Sequence, residues 1–205
     1  MKRLSNVLTD FLNEDKVRFI RSEGGDDFFL NYYLKTVSVN VVVRVDEEDR
    51  AIGVFVRSGM LVPPERRAAC AELIVRMNRM LRIGAFQFDY DEGDIYGMTS
   101  LFVGDNEIET ALLRPVVHAP IQSYGAHYPA FVDVVYREME PLAALERLEQ
   151  ARQAEVESGP VPAEIDAVVQ RLLQGILADD EGPKKKKRRR KKNAGEAETD
   201  PKPEA

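Results

Sequence analysis

A regular alternation between residues 37 and 45 constrains the fold of this chain more than any other feature. Valine occupies every odd position of this segment, while Ser38, Asn40 and Arg44 occupy three of the four even positions. Successive side chains of a β-strand point to opposite faces of the sheet, so the pattern predicts a strand with one face in the core and the other mostly in water. The valine face needs a layer of helices to cover it.

Two segments predict amphipathic helices, because apolar residues recur in them at intervals of three and four positions. The first helix carries its apolar stripe on Leu4, Val7, Leu8, Phe11 and Leu12. The second begins near Pro64 and ends at Gly84, and its apolar side consists of Ala69, Leu73, Ile74, Met77 and Leu81. We expect this second helix to lie flat on the sheet, so that one core contains Leu73, Met77, Val39, Val41 and Val43.

Further strands are predicted on both sides of the valine strand. Short β-rich runs at residues 16–22 and 28–35 precede it, and the second of these lacks clean alternation, which leaves its register open. After the valine strand, residues 52–56 alternate again. Residues 85–90 and 95–103 then form the two halves of a hairpin around an acidic turn.

The region after residue 107 is helix-like, with a break expected around Pro120 and Gly125, and it continues toward residue 157. Residues 162–178 carry one further amphipathic pattern. The resulting order, α-β-β-β-α-β-β-α with an extra C-terminal helix, contains no β-α-β crossover spacing. We therefore predict an α+β fold in which helices pack on a twisted antiparallel sheet.

The composition agrees with a folded domain and argues against a membrane protein. Apolar residues make up 44% of the chain, which is enough for a genuine core. No run approaches the ~20 consecutive apolar residues of a membrane-spanning helix, so we expect a cytoplasmic protein. The only cysteine, Cys70, cannot form an internal disulfide, and this fits a reducing compartment.

The net charge of −6 is distributed unevenly along the chain. Residues 1–183 carry a net charge of −12, and a basic block follows them. In a eukaryotic cell this block would be a nuclear import signal. In a bacterium it would bind nucleic acid or anionic lipid without sequence specificity, or rest against the acidic body. No aromatic residue is interleaved with it to stack on bases. The nine cations are Lys184, Lys185, Lys186, Lys187, Arg188, Arg189, Arg190, Lys191 and Lys192.

The residue types needed for catalysis occur without a supporting arrangement. His118 and His127 are the candidates for a general base, and Cys70 is the candidate nucleophile, but Cys70 lies in an apolar helical pattern where a small buried filler is expected. The acidic groups at residues 46–49 and 89–94 match no calcium loop and fit hairpin turns. We predict no catalytic, cofactor or metal site, and hence no enzyme.

Three strings carry a family resemblance: VRVDEEDRAIGVFV, PPERRAACAELIVRMNRMLRIGAFQFDYDEGDIYGMTSLFV and YPAFVDVVY. Together with the element order, they resemble the YbjN family, which is related to type III secretion chaperones. The resemblance implies a YbjN or chaperone-like domain at residues 1–140, with a peptide-binding or regulatory role and no chemistry. It identifies no peptide-binding residues. Residues 141–180 would then be a helical C-terminal extension, and residues 181–205 a disordered polybasic tail.

Two functions remain open at this point. The first is a chaperone-like or regulatory adaptor that binds a client protein or peptide. The second is a nucleic-acid-associated regulator that uses the polybasic tail. In either case we expect a homodimer, formed through helix faces that are left over after sheet packing, including apolar positions of the first helix.

Overall fold

The computed structural model describes residues 2–158 and confirms the α+β class with an antiparallel sheet. Its elements are α1 (Leu4–Glu14), β1 (Phe19–Arg21), β2 (Asp27–Tyr33), β3 (Ser38–Asp46), β4 (Ala51–Arg57), a 3₁₀ turn (Pro64–Arg66), α2 (Arg67–Asn78), β5 (Ala85–Phe88), β6 (Ile95–Phe102), α3 (Thr110–Tyr136) and α4 (Pro141–Ser158). The helix predicted at residues 162–178 and the polybasic tail lie outside the described residues.

The strands form one sheet of order β1-β2-β3-β4-β6-β5, and every neighbouring pair is antiparallel. Four strands precede α2, one for each of the runs predicted at residues 16–22, 28–35, 37–45 and 52–56, so the predicted order with three strands at this point is one strand short. The segment whose register the sequence left open is a full strand, β2, in which Phe29 lies opposite Val42 and Leu30 lies opposite Val41. A sheet built from hairpins in this way needs no crossover helix between its first four strands.

The valine face of β3 is buried as the alternation predicted. Val39, Val41 and Val43 are each at most 2% exposed, and they share one core with Leu73 and Met77 of α2. The helices that pack over β3, however, are α1 and α3, whereas α2 packs against β5, α3 and α4. The expectation that α2 lies flat on the sheet is therefore correct only for the β5 edge.

The whole apolar stripe of α1 is buried by this packing. All five of its predicted apolar residues are buried. Because these side chains contact the core of their own chain, the first helix offers no apolar surface for the self-association that we expected from it. The second helix ends at Asn78 rather than at Gly84. The Asn78 side-chain amide then pairs with both backbone groups of Phe86 in β5.

The break predicted around Pro120 and Gly125 does not occur, because α3 is continuous through both residues. Proline has no N–H, so a proline within a helix leaves the carbonyl four residues earlier without its helical partner. For Pro120 that carbonyl belongs to Val116, and the hydroxyl of Thr99 on β6 donates to it over 2.6 Å. A donor supplied by the sheet thus allows the helix to continue.

Glu47 corrects the interpretation of the acidic group at residues 46–49 as a solvated turn. The turn is present, but the Glu47 carboxylate caps the start of α1. It accepts hydrogen bonds from the backbone N–H of Leu4 at 3.0 Å and of Ser5 at 2.9 Å. Burial alone would raise the pKa of Glu47, yet these bonds and one from Arg3 outweigh it and lower the pKa to about 2.

We predict that Glu47→Gln makes stability less sensitive to acid. The folded pKa of about 2 lies below the ordinary 4.5, so the charged cap stabilises the fold fully above pH 4.5, and this contribution is lost as the pH falls toward 2. Urea unfolding at pH 7 should show a loss of about 1–2 kcal/mol, and the loss should shrink near pH 3. Glu48→Gln, in the exposed part of the same turn, is the control. An equal loss at both pH values would contradict the charged cap.

Candidate functional site

The candidate catalytic residues are each held in structural contacts. Cys70 is fully buried in α2, and burial raises the pKa of its thiol to about 12. Burial also lowers the pKa of His127, whose Nδ1 lies 2.8 Å from the Ser123 carbonyl. The Nε2 of His118 lies 2.7 Å from the carboxylate of Asp15. Within residues 2–158, no three histidine, cysteine or acidic side chains are grouped so that they could hold a metal ion.

The second acidic group, at residues 89–94, forms the hairpin turn that was predicted between β5 and β6. The Asp89 side chain closes the turn by accepting from the backbone N–H of Asp91 and of Glu92. Arg67 of α2 binds the turn from outside, because its guanidinium donates to the carbonyl of Tyr90 at 2.9 Å and of Asp91 at 2.8 Å. The turn is therefore part of the helix–sheet packing.

A groove of about 700 Å³ lies between the second half of α3, α4 and the turn that follows β2. Its volume falls within the range of about 300–1,000 Å³ that binding clefts occupy. Apolar side chains contribute much of its surface, and charged side chains surround them. The apolar lining includes Leu34, Pro129, Val132, Leu148 and Ala151, and the charged lining consists of Lys35, Asp133, Arg137, Arg147, Arg152 and Glu155.

The turn after β2 closes one side of the groove by approaching α3 closely at Gly125. A Cβ atom at this position would lie only 2.7 Å from the Cδ1 of Leu34, so glycine provides the space for the contact. Pro129 leaves the Gly125 carbonyl without its helical donor, and the Thr36 hydroxyl donates to that carbonyl over 3.1 Å. The same glycine therefore gives both the space and the acceptor that hold the turn in place.

Asp133 of α3 joins the two helical walls. Its side chain is 5% exposed, and one of its oxygen atoms accepts from Arg137 at 2.6 Å and from Arg147 at 3.1 Å. Arg147 belongs to α4, so this carboxylate holds α4 against α3. Because Asp133 is compensated by two guanidinium groups, its burial does not leave an unpaired charge in the protein.

Further polar contacts bridge the other end of the groove. Arg152 of α4 lies 3.3 Å from the carbonyl of Ala126 and 3.4 Å from the Nε2 of His127, and its charge contributes to lowering the pKa of that histidine. Lys35 pairs with Glu155 over 2.5 Å, between the β2 turn and α4. Both ends of the groove are therefore defined by side chains that come from different elements.

The groove is basic, although the protein around it is acidic. Its lining contains four cations and two carboxylates, a net charge of +2. Residues 1–158 as a whole contain 18 basic and 26 acidic side chains, a net charge of −8. The groove is therefore a positively charged area on a negatively charged domain, and it should attract negatively charged groups.

Sequence reasoning did not identify any residue of this groove as functional. Arg147 and Arg152 look like ordinary surface residues of a charged helix, because their partners come from α3. The one local signal is the spacing of Asp133 and Arg137, which places the pair on the same side of a helix. Among residues 2–158, no helix has both the length and the apolar character needed to span a bilayer.

Comparison with known protein families gives a match over more than half of the chain. A sequence model of the YbjN family, described as "putative bacterial sensory transduction regulator", matches residues 5–132. No curated protein matches the chain. The match ends within α3, so Asp133, Arg137 and the whole α4 wall of the groove lie outside it.

Solved structures similar to this chain include two at low identity. One is YbjN from E. coli, titled "a putative transcription regulator", with 13% identity and a TM-score of 0.44 over 60% of this chain and 90% of that one. The other is an uncharacterised protein from Methanothermobacter thermautotrophicus, with 11% identity and a TM-score of 0.43 over 72% of this chain and 99% of that one.

We predict that Asp133→Asn loosens α4 from α3. The substitution removes the charge of a buried carboxylate that accepts hydrogen bonds from two arginines. A hydrogen bond to a charged group contributes about 1–3 kcal/mol to stability. Urea unfolding should show a loss of about that size, and hydrogen exchange should become faster in residues 141–155. Glu155→Gln, which removes an exposed charge from the same groove, should change stability by less than about 1 kcal/mol. Unchanged exchange in α4 would contradict this role for Asp133.

Proposed function

Because the chain belongs to the YbjN family, we propose that it is a non-enzymatic regulator that binds an amphipathic, acidic helix of a partner protein in the groove between α3 and α4. The observation that carries this proposal is the pairing of an apolar floor with a basic rim on an otherwise acidic domain. The proposed role is that of a cytoplasmic adaptor, chaperone-like in the sense that it holds a segment of a client.

The floor of the groove suits the apolar face of a helix. Pro129 and Val132 come from one wall, and Leu148 and Ala151 come from the other. A helix that lies between two helices places side chains at spacings of three and four residues into such a floor. The partner's apolar side chains would leave water on binding, which supplies the non-directional part of the affinity.

The rim selects the charge of the partner. Arg137, Arg147 and Arg152 stand on the two walls, and Lys35 stands on the β2 turn. Glutamate or aspartate side chains that flank the apolar face of a bound helix would approach these cations. The negative charge of the rest of the domain repels an acidic helix. The groove is therefore the place where such a helix would bind.

The contacts of the candidate catalytic residues support a function without chemistry. A thiol with a pKa of about 12 is protonated at neutral pH, so Cys70 would not act as a nucleophile. His127 is buried and bonded to the backbone, and His118 is engaged by Asp15. The proposal therefore assigns these residues to folding and assigns recognition to the groove.

We predict that Ala151→Trp weakens helix binding by filling the groove. The probe is a fluorescein-labelled peptide with leucines on one helical face and glutamates on the other, and fluorescence anisotropy measures its Kd. The substitution should weaken binding by at least about tenfold, equivalent to about 1.4 kcal/mol. Added salt should also weaken binding to the unmodified protein, because the rim charges are exposed to solvent.

Two controls make this test specific. Ala143→Trp introduces the same side chain at an exposed position of α4 that does not line the groove, and it should change the Kd by less than about twofold. A peptide with lysine in place of glutamate should bind much more weakly. Equal binding of the acidic and basic peptides, or equal effects of the two tryptophan variants, would refute the proposed site.

A second candidate function, association with nucleic acid, rests on the nine consecutive cations at residues 184–192. These residues lie outside the part of the chain that the structure describes. An acidic body repels a phosphate backbone, so binding through this block alone would be strongly dependent on salt and independent of sequence. This candidate is compatible with the groove, because the two functions would use different parts of the chain.

We predict that deletion of residues 184–192 weakens binding to a labelled 20-base-pair DNA duplex by at least about tenfold at low salt and leaves thermal unfolding unchanged. The steep dependence of affinity on salt should disappear with the block. A deletion of residues 193–201, which has the same length, is the control. A marked fall in the melting temperature would instead show that the basic block stabilises the folded domain, and its assignment to nucleic-acid binding would then be rejected.

A further inference from the structure

Strand β6 extends four residues beyond the strand that pairs with its outer side. The pairing of β5 with β6 reaches only as far as Ala85 and Met98, whereas β6 itself continues to Phe102. The chain leaves the sheet at Gly84, whose φ of +77° lies in the left-handed region that glycine adopts readily. Within residues 2–158, no strand pairs with residues 99–102 on this side, so these residues form the free edge of β6.

The hydrogen bonds of the sheet show which backbone groups point to the free edge. In an antiparallel pair, residues that exchange N–H and C=O bonds with the partner strand alternate with residues that do not. Val103 donates to the Arg50 carbonyl over 2.9 Å, so the odd-numbered residues of β6 bond toward β4. The N–H and C=O groups of Ser100 and Phe102 therefore point away from β4, at the free edge.

The pairing of β5 agrees with this assignment. Asp89 donates to the Asp94 carbonyl over 2.9 Å, so the register makes the even-numbered residues of β6 the bonding partners of β5. Ser100 and Phe102 therefore continue the row of donors and acceptors that β5 satisfies. Another extended chain, placed in line with β5, would satisfy them in the same way.

A neighbouring edge of the sheet is covered, whereas the free edge of β6 is not. The outer side of β5 is closed at Phe86, because the Asn78 side-chain amide bonds to both of its backbone groups. An exposed strand edge is a template for pairing, and proteins usually cover such edges or place charges or prolines on them. Residues 99–102 have the sequence TSLF, which contains neither. The free edge is therefore open to an added strand.

A cavity of about 280 Å³ opens beside the free edge, where β5 and β6 diverge. Its lining includes residues 83–85, residues 98–100 and Val116 of α3, and no charged side chain takes part in it. The volume lies just below the range of about 300–1,000 Å³ that ligand clefts occupy, so the cavity suits side chains of a bound polypeptide. The absence of charge in its lining favours an apolar occupant.

Apolar side chains around the free edge are incompletely covered by the domain. Ile83, which lines the cavity, is 46% exposed, and Phe102 is 75% exposed. Leu101 and Val116 lie half-buried at the margin of the core. Alternate side chains of an added strand would point to this margin and remove it from water.

We propose that the free edge of β6 binds an extended, uncharged segment of a partner protein, which adds a strand to the sheet in line with β5. Ser100 and Phe102 would bond to the segment through their backbone groups, and an apolar side chain of the segment would enter the cavity. In strand addition of this kind, main-chain bonds supply affinity and the pocket supplies specificity. The site shares no residue with the groove between α3 and α4, so it does not depend on the proposed function.

Ser100→Pro tests the backbone bonds while preserving the pairing of β6 with β4. Proline has no N–H, and it is tolerated in an edge strand where that group would face away from the neighbouring strand. The probe is a fluorescein-labelled peptide of alternating valine and threonine with a lysine at each end, and fluorescence anisotropy measures its Kd. Ser100→Pro should weaken binding by at least about tenfold. Ser100→Ala, which keeps the N–H, should change the Kd by less than about twofold.

Two N-methylated forms of the peptide distinguish strand pairing from nonspecific apolar binding. Methylation of one alternate set of residues removes the N–H groups that face β6, and it should abolish binding. Methylation of the other alternate set removes N–H groups that face solvent, and it should leave the Kd unchanged. Added salt should have little effect on binding, because no charged side chain lines the cavity.

Ile83→Asp protects the test from a folding defect of the proline variant. It places a charge at the cavity on a side chain that is already partly exposed, and it should weaken binding of the peptide. Val75→Asp is the matched control, because Val75 is 71% exposed on α2 and does not line the cavity. Circular dichroism confirms that each variant is folded.

Four results would overturn the proposal. They are no binding of the peptide by the wild-type chain, equal binding of the two methylated peptides, equal Kd values for folded Ser100→Pro and Ser100→Ala, and equal Kd values for Ile83→Asp and Val75→Asp. A difference in sedimentation between Ser100→Pro and Ser100→Ala would assign the free edge to a second copy of the chain, and it would reject a partner segment as the occupant.

Discussion

The packing of α3 across the valine face of the sheet is the interaction on which the rest of this structure depends. This helix contacts β3, β4 and β6, and it also contacts α1, α2 and α4. Tyr124 shows how closely the layers fit: its ring is fully buried, and its hydroxyl lies 3.0 Å from that of Ser58 and 3.3 Å from the Ile95 carbonyl. Burial raises the pKa of Tyr124 to about 12, so the hydroxyl remains a neutral hydrogen-bonding group.

The parts of the fold that follow from local periodicity could be predicted from sequence. The valine alternation identified the buried face of β3, and the apolar stripe of α1 identified the residues that cover it. The continuity of α3 could not be predicted in this way. Pro120 looks like a helix breaker until the Thr99 hydroxyl is placed against the Val116 carbonyl, and these partners are 17 residues apart.

The groove between α3 and α4 could not be predicted from the sequence for the same reason, because its residues come together only in the folded chain. Apart from the pair of Asp133 and Arg137, its defining contacts join residues that are not neighbours on one helix, such as Thr36 with Gly125 and Lys35 with Glu155. The role of Glu47 could not be predicted from composition either, because an acidic cluster without apolar neighbours resembles a solvated turn. The helix that Glu47 caps begins more than 40 residues earlier in the chain. Long-range hydrogen bonds therefore account for most differences between expectation and structure.

The burial of Cys70 makes this chain convenient for spectroscopy. It is the only cysteine of the protein, and it is fully buried, which raises the pKa of its thiol to about 12 and keeps the thiol protonated at neutral pH. Maleimides and nitroxide reagents attack the thiolate, so the native thiol is chemically silent in the folded state. Cysteines introduced at two exposed positions, such as Ser100 and Ala143, would carry the labels alone, which permits distance measurements between them without first removing a native residue from the core.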